Sequence, residues 1–181
     1  GNRAKTDRHD AELLARYLKQ EHEHLQCWQP REPLQARLWR LLKRRATLVQ
    51  TSVRLRQSLA DIGTLDAAAK ELIRHCQQLV RQVDRELQAQ SRQLGWQQDL
   101  QRSGGVPGLG PLTSLALVAT FHRHHFRNAD AFVAFMGLDV RVRDSGKFRG
   151  QRKLTKKGDP EIRRRLYNAA MSACRDPHWK P

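Results

Sequence analysis

The amino-acid sequence predicts a mainly α-helical protein: a long helical coiled-coil hairpin, then a small helical domain with a helix-hairpin-helix turn and a basic loop. Two observations lead to this fold class. Apolar residues recur every seven positions through residues 34–62 and again through residues 65–94, as in helices that bury a narrow seam against another helix. Alternating, strand-like patterns are rare, and DVRVR at residues 139–143 is the one candidate for a short strand.

Residues 1–29 form the first predicted segment, a charged stretch followed by a helix. Asp10 stands just before the apolar positions, where its carboxylate can cap free backbone N–H groups. Asp7 lies three residues earlier, so the two carboxylates can share one helix face and could hold Mg²⁺. On spacing alone, a cap with solvated neighbours is the favoured reading. The apolar positions of this helix are Leu13, Leu14, Tyr17, Leu18 and Leu25.

Residues 30–102 form the second predicted segment, a helical arm. Its first run carries Leu34, Leu41, Leu48, Leu55 and Ile62, with Leu38 and Leu59 on an alternate seam that Arg45 and Ser52 interrupt. Its second run carries Leu65, Leu72 and Leu79 beside Ala69, Cys76 and Val83, and Leu87 and Leu94 extend it. Gly63 and Thr64 separate the runs. The pattern predicts a helical hairpin, or an arm that pairs with another subunit.

Residues 103–181 form the third predicted segment, which opens with the glycine-rich stretch GVPGLG. Glycines such as Gly108 and Gly110 let backbone N–H groups approach a phosphate, and the following helix adds partial positive charge at its N-terminus. This stretch resembles the turn of a helix-hairpin-helix, although a plain turn that contacts nothing is about equally common. Two further helices are expected, with caps at Asn128 and Asp159.

A dense cluster of basic residues follows between residues 141 and 165, and it predicts contact with nucleic acid. Like charges at this density repel one another unless a polyanion neutralises them. The candidate DNA-binding residues of this cluster are Arg141, Arg143, Lys147, Arg149, Arg152, Lys153, Lys156, Lys157 and Arg164. Ser145 lies within the cluster, but a serine hydroxyl needs activation to act as a nucleophile. From composition alone, Ser145 is most often an ordinary loop serine. The HRHH stretch at residues 122–125 favours phosphate contacts or plain surface over a metal site.

The bulk composition points to the same class of partner. Lys and Arg total 34 against 18 Asp and Glu, a formal net charge of +16, which favours a polyanionic partner through counterion release. The chain shows no lipidation signal and no long apolar run, so a membrane surface is the less favoured partner. Three scattered cysteines and a polar N-terminus without signal-peptide character predict a cytoplasmic protein.

Four blocks of the sequence, in order, resemble a known family. KTDRHDAELLARYL, VPGLGPLTSLALVATF, NADAFVAFMGL and DSGKFRG...KKGDPEIRRRLYNAAMSA are similar to the DEDD-type transposases related to the pilin-gene invertase Piv. The resemblance implies an N-terminal RuvC-like nuclease fold with four acidic residues, a coiled-coil segment and a second catalytic domain. Asp7 and Asp10 match the third and fourth acidic residues, which lie in a K-x-D-x-x-D-A pattern. Ser145, before G-K-x-R-G, matches the family's nucleophile.

The resemblance also implies partners and chemistry. It implies a covalent DNA–serine intermediate, Mg²⁺ in the complete protein, and a composite site between subunits of a dimer or tetramer. Family members can use a bridge-type guide RNA, so DNA and RNA are both expected partners. The first two acidic residues of the family precede the Asp pair on strands that this sequence lacks. We therefore expect a fragment that binds nucleic acid but does not cleave it. The alternative is a non-catalytic helix-hairpin-helix module that grips nucleic acid, or a helical oligomerisation element.

Overall fold

The structure is a computed structural model that describes residues 7–23, 25, 30–141, 144–145, 148–149 and 152–179, with the backbone alone at 141, 144–145, 148–149 and 178. Helices make up most of the described residues, which confirms the mainly α class. The chain divides into two compact units, residues 1–30 and residues 31–181. The three-segment division predicted from the sequence stays a prediction.

The first unit contains helix α1, Asp7–Glu21. The helix begins at Asp7, so Asp10 lies in its first turn and not before it, which corrects the predicted position of the cap. Acidic side chains are favourable there because the N-terminal end of a helix carries partial positive charge. The apolar side chains of this unit are exposed: Leu13, Leu14, Tyr17, Leu18 and Leu25.

The second unit begins with the predicted hairpin of two long helices. Helix α2 spans Pro33–Ser58 and helix α3 spans Asp66–Gln93, and a 3-10 turn at Gly63–Leu65 lies between them. The carboxylate of Glu32 caps α2 by accepting a hydrogen bond from the backbone N–H of Gln35 at 3.0 Å. Because α2 and α3 pack along each other, the helical hairpin is confirmed.

The α2 side of the hairpin seam follows the prediction in part: Leu38 is buried, and polar residues interrupt the seam at the two predicted positions. Leu42 and Ala46, which neither predicted run contains, are buried as well, whereas Ile62, beyond the end of α2, is 41% exposed. Arg45 forms a two-pronged ion pair with Asp84 of α3, with N–O distances of 2.5 and 3.1 Å. Ser52 is buried and donates its hydroxyl to the carbonyl of Leu48 at 2.7 Å. The seam therefore tolerates these polar side chains because each has a partner.

The α3 side of the seam confirms one predicted strip and not the other. Leu65, Leu72 and Leu79 are 46–48% exposed. Ala69 and Leu87 are buried as predicted, together with Ile73, which was not predicted. Ala69, Cys76 and Val83 form a central strip with a seven-residue repeat on either side, one through Leu72 and one through Ile73. Periodicity alone cannot choose between them, and the packing against α2 selects the side with Ile73.

A break after α3 produces a short helix that was not predicted. Gly95 has φ +72°, a left-handed conformation that ends the helix. Helix α4, Gln97–Gly104, follows, and helix α5 spans Pro111–Phe121. Trp96, the residue just before α4, is buried, with 5% of its surface exposed. Helices α4 and α5 pack together on either side of the GVPGLG turn, and the identification of this turn as a helix-hairpin-helix stays a prediction.

The remaining elements are two helices with a small strand ribbon between them. Helix α6 spans Ala129–Phe135, and Asn128 caps it by accepting a hydrogen bond from the N–H of Ala131 at 2.9 Å. Helix α7 spans Pro160–Ala173, and Asp159 caps it through the N–H of Glu161 at 2.9 Å. Both caps confirm the predictions. The four short strands of the ribbon are β1 Val140–Arg141, β2 Asp144–Ser145, β3 Phe148–Arg149 and β4 Lys153–Leu154.

One hydrophobic core joins the base of the hairpin to the C-terminal helices. Leu38 and Leu42 of α2 and Leu87 of α3 share it with residues of α5, α7 and the end of α6. The C-terminal members of the core are Leu115, Ala116, Val118, Met136 and Ile162. The base of the arm therefore fixes where α5–α7 lie. Within the part of the chain that is described, no helix is both long and apolar enough to cross a membrane.

Candidate nucleic-acid interface

A ribbon of nested strand pairs carries the candidate serine. The outer pair is β1 with β4, and Val140 lies opposite Leu154. The inner pair is β2 with β3, and Ser145 lies opposite Phe148. The sequence predicts one short strand here, at residues 139–143, and β1 confirms it at residues 140–141, while residues 142–143 lie outside the described residues. Ser145 thus lies in the inner strand pair, which is further along the chain from α6 and α7 than the outer pair is.

The ribbon also brings predicted basic residues together. Arg141 lies opposite Lys153 in the outer pair, and Arg149 lies opposite Asp144 in the inner pair. The predicted residues with described side chains on the returning strand and its connection to α7 are exposed: Arg152, Lys153, Lys156 and Lys157. Arg143 and Lys147 lie outside the described residues. Four of the predicted cations therefore have side chains that solvent, and hence a polyanion, can reach.

The base of the ribbon is held by close backbone contacts. Gly137 has φ +71°, and a Cβ there would lie 2.5 Å from the backbone nitrogen of Gly158. The backbone N–H of Lys156 donates to the carbonyl of Gly137 at 3.1 Å, and Lys156 itself has φ +57°. The Thr155 hydroxyl donates to the Asp139 carboxylate at 2.5 Å. These contacts join the end of α6 to the start of α7 without room for a side chain between them.

The three consecutive arginines of α7 do not all belong to the predicted basic surface. Arg165 is 7% exposed and lies 2.9 Å from the Glu161 carboxylate. Arg163 donates to the carbonyls of Met136 and Gly158. Arg164, the predicted DNA contact, is half-exposed but donates twice to Glu161, at 2.7 and 2.8 Å. The sequence did not indicate that Arg163 and Arg165 make contacts within the fold, because tertiary packing decides which face of α7 is buried.

Glu161 lies at the centre of these arginines and its ionisation reflects them. Burial disfavours the charged carboxylate, but the hydrogen bonds from Arg164 and the positive charge of both guanidiniums outweigh it and lower the pKa of Glu161. The same contact raises the pKa of Arg164. For Arg165, burial is the largest effect and lowers the pKa of its guanidinium. Glu161 therefore stays ionised and stabilises the first turns of α7 through pairs within the same helix.

The glycine-rich turn between α4 and α5 has two differently placed glycines. Gly108 has φ +84°, and a Cβ there would overlap the carbonyl oxygen of Ala169 and lie 3.0 Å from the backbone nitrogen of Ala173. Its close approach is thus to the backbone of α7. Gly110 is exposed, begins α5, and has open space where a Cβ would stand. Of the two, Gly110 has the surroundings that a phosphate contact needs.

The paired carboxylates lie on α1 in the first unit. Asp7 and Asp10 are both exposed in its first turn, three residues apart, as the spacing predicts. Within the described ranges, no three or more His, Cys, Asp or Glu side chains group closely enough to hold a metal ion. The pair by itself supplies fewer oxygen ligands than Mg²⁺ requires.

Two models of known protein families match this chain, one in its N-terminal part and one in its C-terminal part. A model described as the transposase IS116/IS110/IS902 family matches residues 104–181, and a transposase model of the DEDD type of IS110 elements matches residues 1–68. The chain belongs to the IS110 family of transposases. No curated protein matches it. The resemblance inferred from the sequence blocks is therefore confirmed.

The two matches divide the transposase by its elements. The match to residues 1–68 includes α1 with the Asp pair and all of α2. The match to residues 104–181 includes the turn at Gly108, the ribbon and α7. Residues 69–103, most of α3 and nearly all of α4, lie between them. The second helix of the arm and α4 are thus the elements that the family models cover least.

The histidine stretch of the transposase has a structural role in part. The His122 ring stacks on Trp96, with centroids 4.9 Å apart and planes 6° from parallel, and its Nε2 lies 2.9 Å from the Asp99 carboxylate. His124 meets the edges of Phe126 and Phe135. Its pKa is lowered by burial and by the positive charge of nearby arginines. His122 therefore ties α5 to α4, a role the sequence did not indicate.

A basic pocket beside the ribbon was also missed by sequence reasoning. Arg31, Trp39 and Arg123 line it together with Lys157. These residues come from the start of the arm, the end of α5 and the start of α7, so no sequence window contains them. No local signal in the sequence brings them together, because Arg31, Trp39, Arg123 and Lys157 are far apart in the chain.

Proposed function

We propose that the C-terminal part of this transposase joins DNA strands, with Ser145 as the nucleophile. The observation that carries the proposal is that Ser145 lies within the family match to residues 104–181 and on the inner strand pair of a basic ribbon. Cations around a phosphate neutralise the charge that develops during transfer. The formal net charge of +16 supports DNA as the substrate.

The proposed reaction is a phosphoryl transfer through a covalent intermediate. The Ser145 hydroxyl oxygen forms a bond to the phosphorus of a DNA phosphodiester, and the bond from phosphorus to the departing deoxyribose oxygen breaks. The serine proton passes to that oxygen, which leaves as a hydroxyl. A second strand's hydroxyl then attacks the phosphorus and releases the serine. Energy of the phosphodiester is conserved, so joining needs no external cofactor for energy.

DNA backbone contacts are assigned to the ribbon and the glycine-rich turn. The exposed cations at Arg152, Lys153, Lys156 and Lys157 are proposed to contact phosphates, and Gly110 to offer backbone N–H groups at the start of α5. Gly108 contributes by holding the turn against α7. Arg164 would contact DNA with the part of its guanidinium that Glu161 leaves exposed. The proposal extends to Arg141, Arg143, Lys147 and Arg149 from their places in the sequence of the ribbon.

Asp7 and Asp10 are proposed as part of a Mg²⁺ site. Carboxylate oxygens are the ligands that Mg²⁺ prefers, and the ion would stabilise the departing oxygen. The two side chains alone do not complete a site, so further oxygen ligands must come from other residues or from DNA. We accordingly expect this chain by itself to bind DNA without cleaving it. Metal-dependent nicking of duplex DNA by the purified chain, abolished in Asp7→Ala, would contradict that expectation.

Pairing of transposase subunits through the arm is the proposed route to a dimer or tetramer. The half-exposed Leu72 and Leu79 of α3 and Leu65 just before it recur every seven residues, which is the spacing of a coiled-coil seam. A bridge-type guide RNA is a second polyanion that the basic surface could hold. A cytoplasmic location follows from the proposed substrate.

The nucleophile is tested by strand exchange with the full-length transposase. Ser145→Ala should abolish exchange and the covalent protein–DNA adduct, while leaving DNA affinity within about twofold because the phosphate contacts remain. Ser172→Ala, at an exposed serine of α7, is the matched control and should exchange strands normally. Unaltered exchange in Ser145→Ala would favour the non-catalytic nucleic-acid-binding module instead.

A further inference from the structure

The pocket beside the ribbon is a cavity of about 470 Å³ in the second unit, within the roughly 300–1,000 Å³ of typical ligand sites. Its walls are contributed by Arg31 and Trp39 near the start of the arm, by the end of α5, by α6, and by the residues that lead into α7. None of these residues lies in the segment that carries Ser145. The pocket is therefore a feature separate from the proposed nucleophile.

The charge of the pocket is positive. Arg31, Arg123 and Lys157 line it, and Asp159 is the acidic residue among the lining residues. Asp159 already accepts the N–H that caps α7 and forms an ion pair with Lys43 at 3.1 Å. Burial and the nearby charge of Arg123 lower the pKa of Arg31, and Asp159 opposes them. Bound anions would relieve this repulsion.

The remaining wall of the pocket is apolar and partly aromatic. Trp39 lies beneath the guanidinium of Arg31, whose Cζ is 5.0 Å from the ring centroid. Phe135 is 42% exposed and lies at the opening with Ala134. Met136 and Ile162, both buried, close the inner side. A flat apolar body with an attached anion fits such a wall, because the ring can pack while the anion meets the cations.

The floor of the pocket is rigidly built. A Cβ at Gly158 would lie 2.5 Å from the carbonyl oxygens of Phe135 and Met136. Arg163 donates to the carbonyls of Met136 and Gly158, at 3.3 and 2.5 Å. The same segments continue directly into β1 and out of β4. The pocket is thus pre-formed and attached to the base of the ribbon.

We propose that this pocket receives one unpaired nucleotide of a nucleic-acid strand, with the base against the apolar wall and a flanking phosphate among Arg31, Arg123 and Lys157. The inference rests on the proposed action on DNA. A base inside a duplex is stacked and cannot enter a concave pocket, whereas an unpaired base can be turned outward at little cost. The pocket would hold the displaced nucleotide next to the strand bound by the ribbon.

The proposal is tested with three labelled DNAs by fluorescence anisotropy: a perfect duplex, the same duplex with one unpaired thymidine, and one with an abasic residue at that position. The chain should bind the thymidine-bearing DNA about tenfold more tightly than the other two, as expected for stacking of one base. Ala134→Leu, which adds volume at the exposed mouth without changing charge, should remove the preference. Ala129→Leu, at an exposed position of the same helix outside the pocket, should keep it.

Charge is tested in the same assay by Arg31→Gln. This variant should reduce the preference for the thymidine-bearing DNA. Arg40→Gln removes the same charge from the exposed surface of α2 and should lower the affinity for all three DNAs by the same factor. As a readout that needs no variant, an unpaired 5-bromodeoxyuridine should photocross-link to peptides containing Trp39 or Phe135. The same assay with RNA oligonucleotides of equivalent design shows whether the pocket prefers DNA or RNA, since both nucleic acids offer a base and a phosphate.

The outcomes separate this inference from the proposed function. Equal affinity for all three DNAs, or a cross-link confined to peptides outside the pocket, would overturn the pocket assignment while duplex binding stands. A preference that persists in Ala134→Leu would overturn it as well, provided that circular dichroism shows a folded variant. Failure of the chain to bind any DNA would instead remove the proposed function and the inference with it.

Discussion

At the scale of single residues, two positions of this transposase have roles that their residue types alone do not disclose. Gly108 belongs to a motif typical of phosphate contact, but the position where a Cβ would stand faces the backbone of α7. Glu161 stands at the start of a helix, where any acidic residue is favourable, but it also fixes two arginines. In both cases the residue holds the turn or the helix that presents the candidate interface.

Replacing Gly108 with Ala should lower the free energy of unfolding by about 2–5 kcal/mol. The left-handed φ costs about 1–2 kcal/mol for a residue with a Cβ, and overlap with the Ala169 carbonyl adds about 1–3 kcal/mol. Gly104→Ala is the matched control, since a Cβ there meets nothing within 4 Å, and it should be neutral or stabilising by up to about 1 kcal/mol. Urea unfolding followed by circular dichroism measures both, and equal effects would contradict the contact with α7.

The Glu161 cluster predicts a pH dependence of stability. Because the pKa of Glu161 in the folded protein is below its ordinary value of 4.5, its contribution is fully present above about pH 4.5 and is lost as the pH falls through the folded value. Glu161→Gln should therefore cost about 1–3 kcal/mol at pH 7. The difference from the unmodified protein should shrink in more acidic solution, since the protonated carboxyl resembles the amide.

Thermal unfolding from pH 7 to pH 3 measures this effect. Glu71→Gln is the control, because Glu71 forms a similar pair with Arg74 at 3.4 Å, but both side chains are about 60% exposed and such pairs contribute under about 1 kcal/mol. A Glu161→Gln deficit that does not change with pH would show that the carboxylate's charge is not what stabilises the start of α7.

At the scale of elements, the arm shows how a seven-residue repeat can be right in period and wrong in phase. The strip of Ala69, Cys76 and Val83 is flanked by apolar residues on both sides. Only one flank can face α2. Ile73 and Leu87 occupy that flank, while Leu72 stays half-exposed.

Neighbouring residues of α3 should consequently respond very differently to truncation. Ile73→Ala should lower the free energy of unfolding by about 2 kcal/mol or more, because a buried side chain leaves a cavity. Leu72→Ala should cost under about 1 kcal/mol, because its side chain is already half in water. Chemical denaturation at a dilution where sedimentation shows monomers makes the comparison. A larger loss in Leu72→Ala than in Ile73→Ala would restore the originally predicted seam.

At the scale of the whole molecule, the dominant property is the charge of +16 on 181 residues. The cations are not equivalent: Arg45, Arg163 and Arg165 stabilise the fold, whereas the ribbon cations face solvent. Exposed cations of this second kind can release counterions from DNA on binding. The change in salt dependence when ribbon cations are removed therefore measures the ribbon's share of the phosphate contacts.

Duplex affinity should fall by about 10³–10⁵-fold between 50 and 200 mM salt if six to ten phosphates are neutralised. The double variant Arg152→Gln with Lys153→Gln should make the slope of log affinity against log salt shallower by about 2. A double variant with the same charge loss on α3, Lys70→Gln with Arg74→Gln, should leave the slope unchanged. Equal slopes in all three proteins would place the DNA contacts elsewhere than the ribbon.

Local signals determined much of this protein without any tertiary information. The period of the arm, the caps at Asn128 and Asp159, the glycine-rich turn and the density of charge each depend on residues that are close in sequence, so the sequence discloses them. The same is true of the blocks that indicated the family. These signals sufficed for the helical class and for the transposase family.

Tertiary structure decided which face of each element is buried. It selected Ile73 over Leu72, turned Gly108 towards α7, and assigned Arg163 and Arg165 to the fold and not to the surface. It also brought Arg31, Trp39 and Arg123 into one pocket. The physical reason is that burial and ion pairing depend on residues distant in the chain, whose positions are set only when the common core packs.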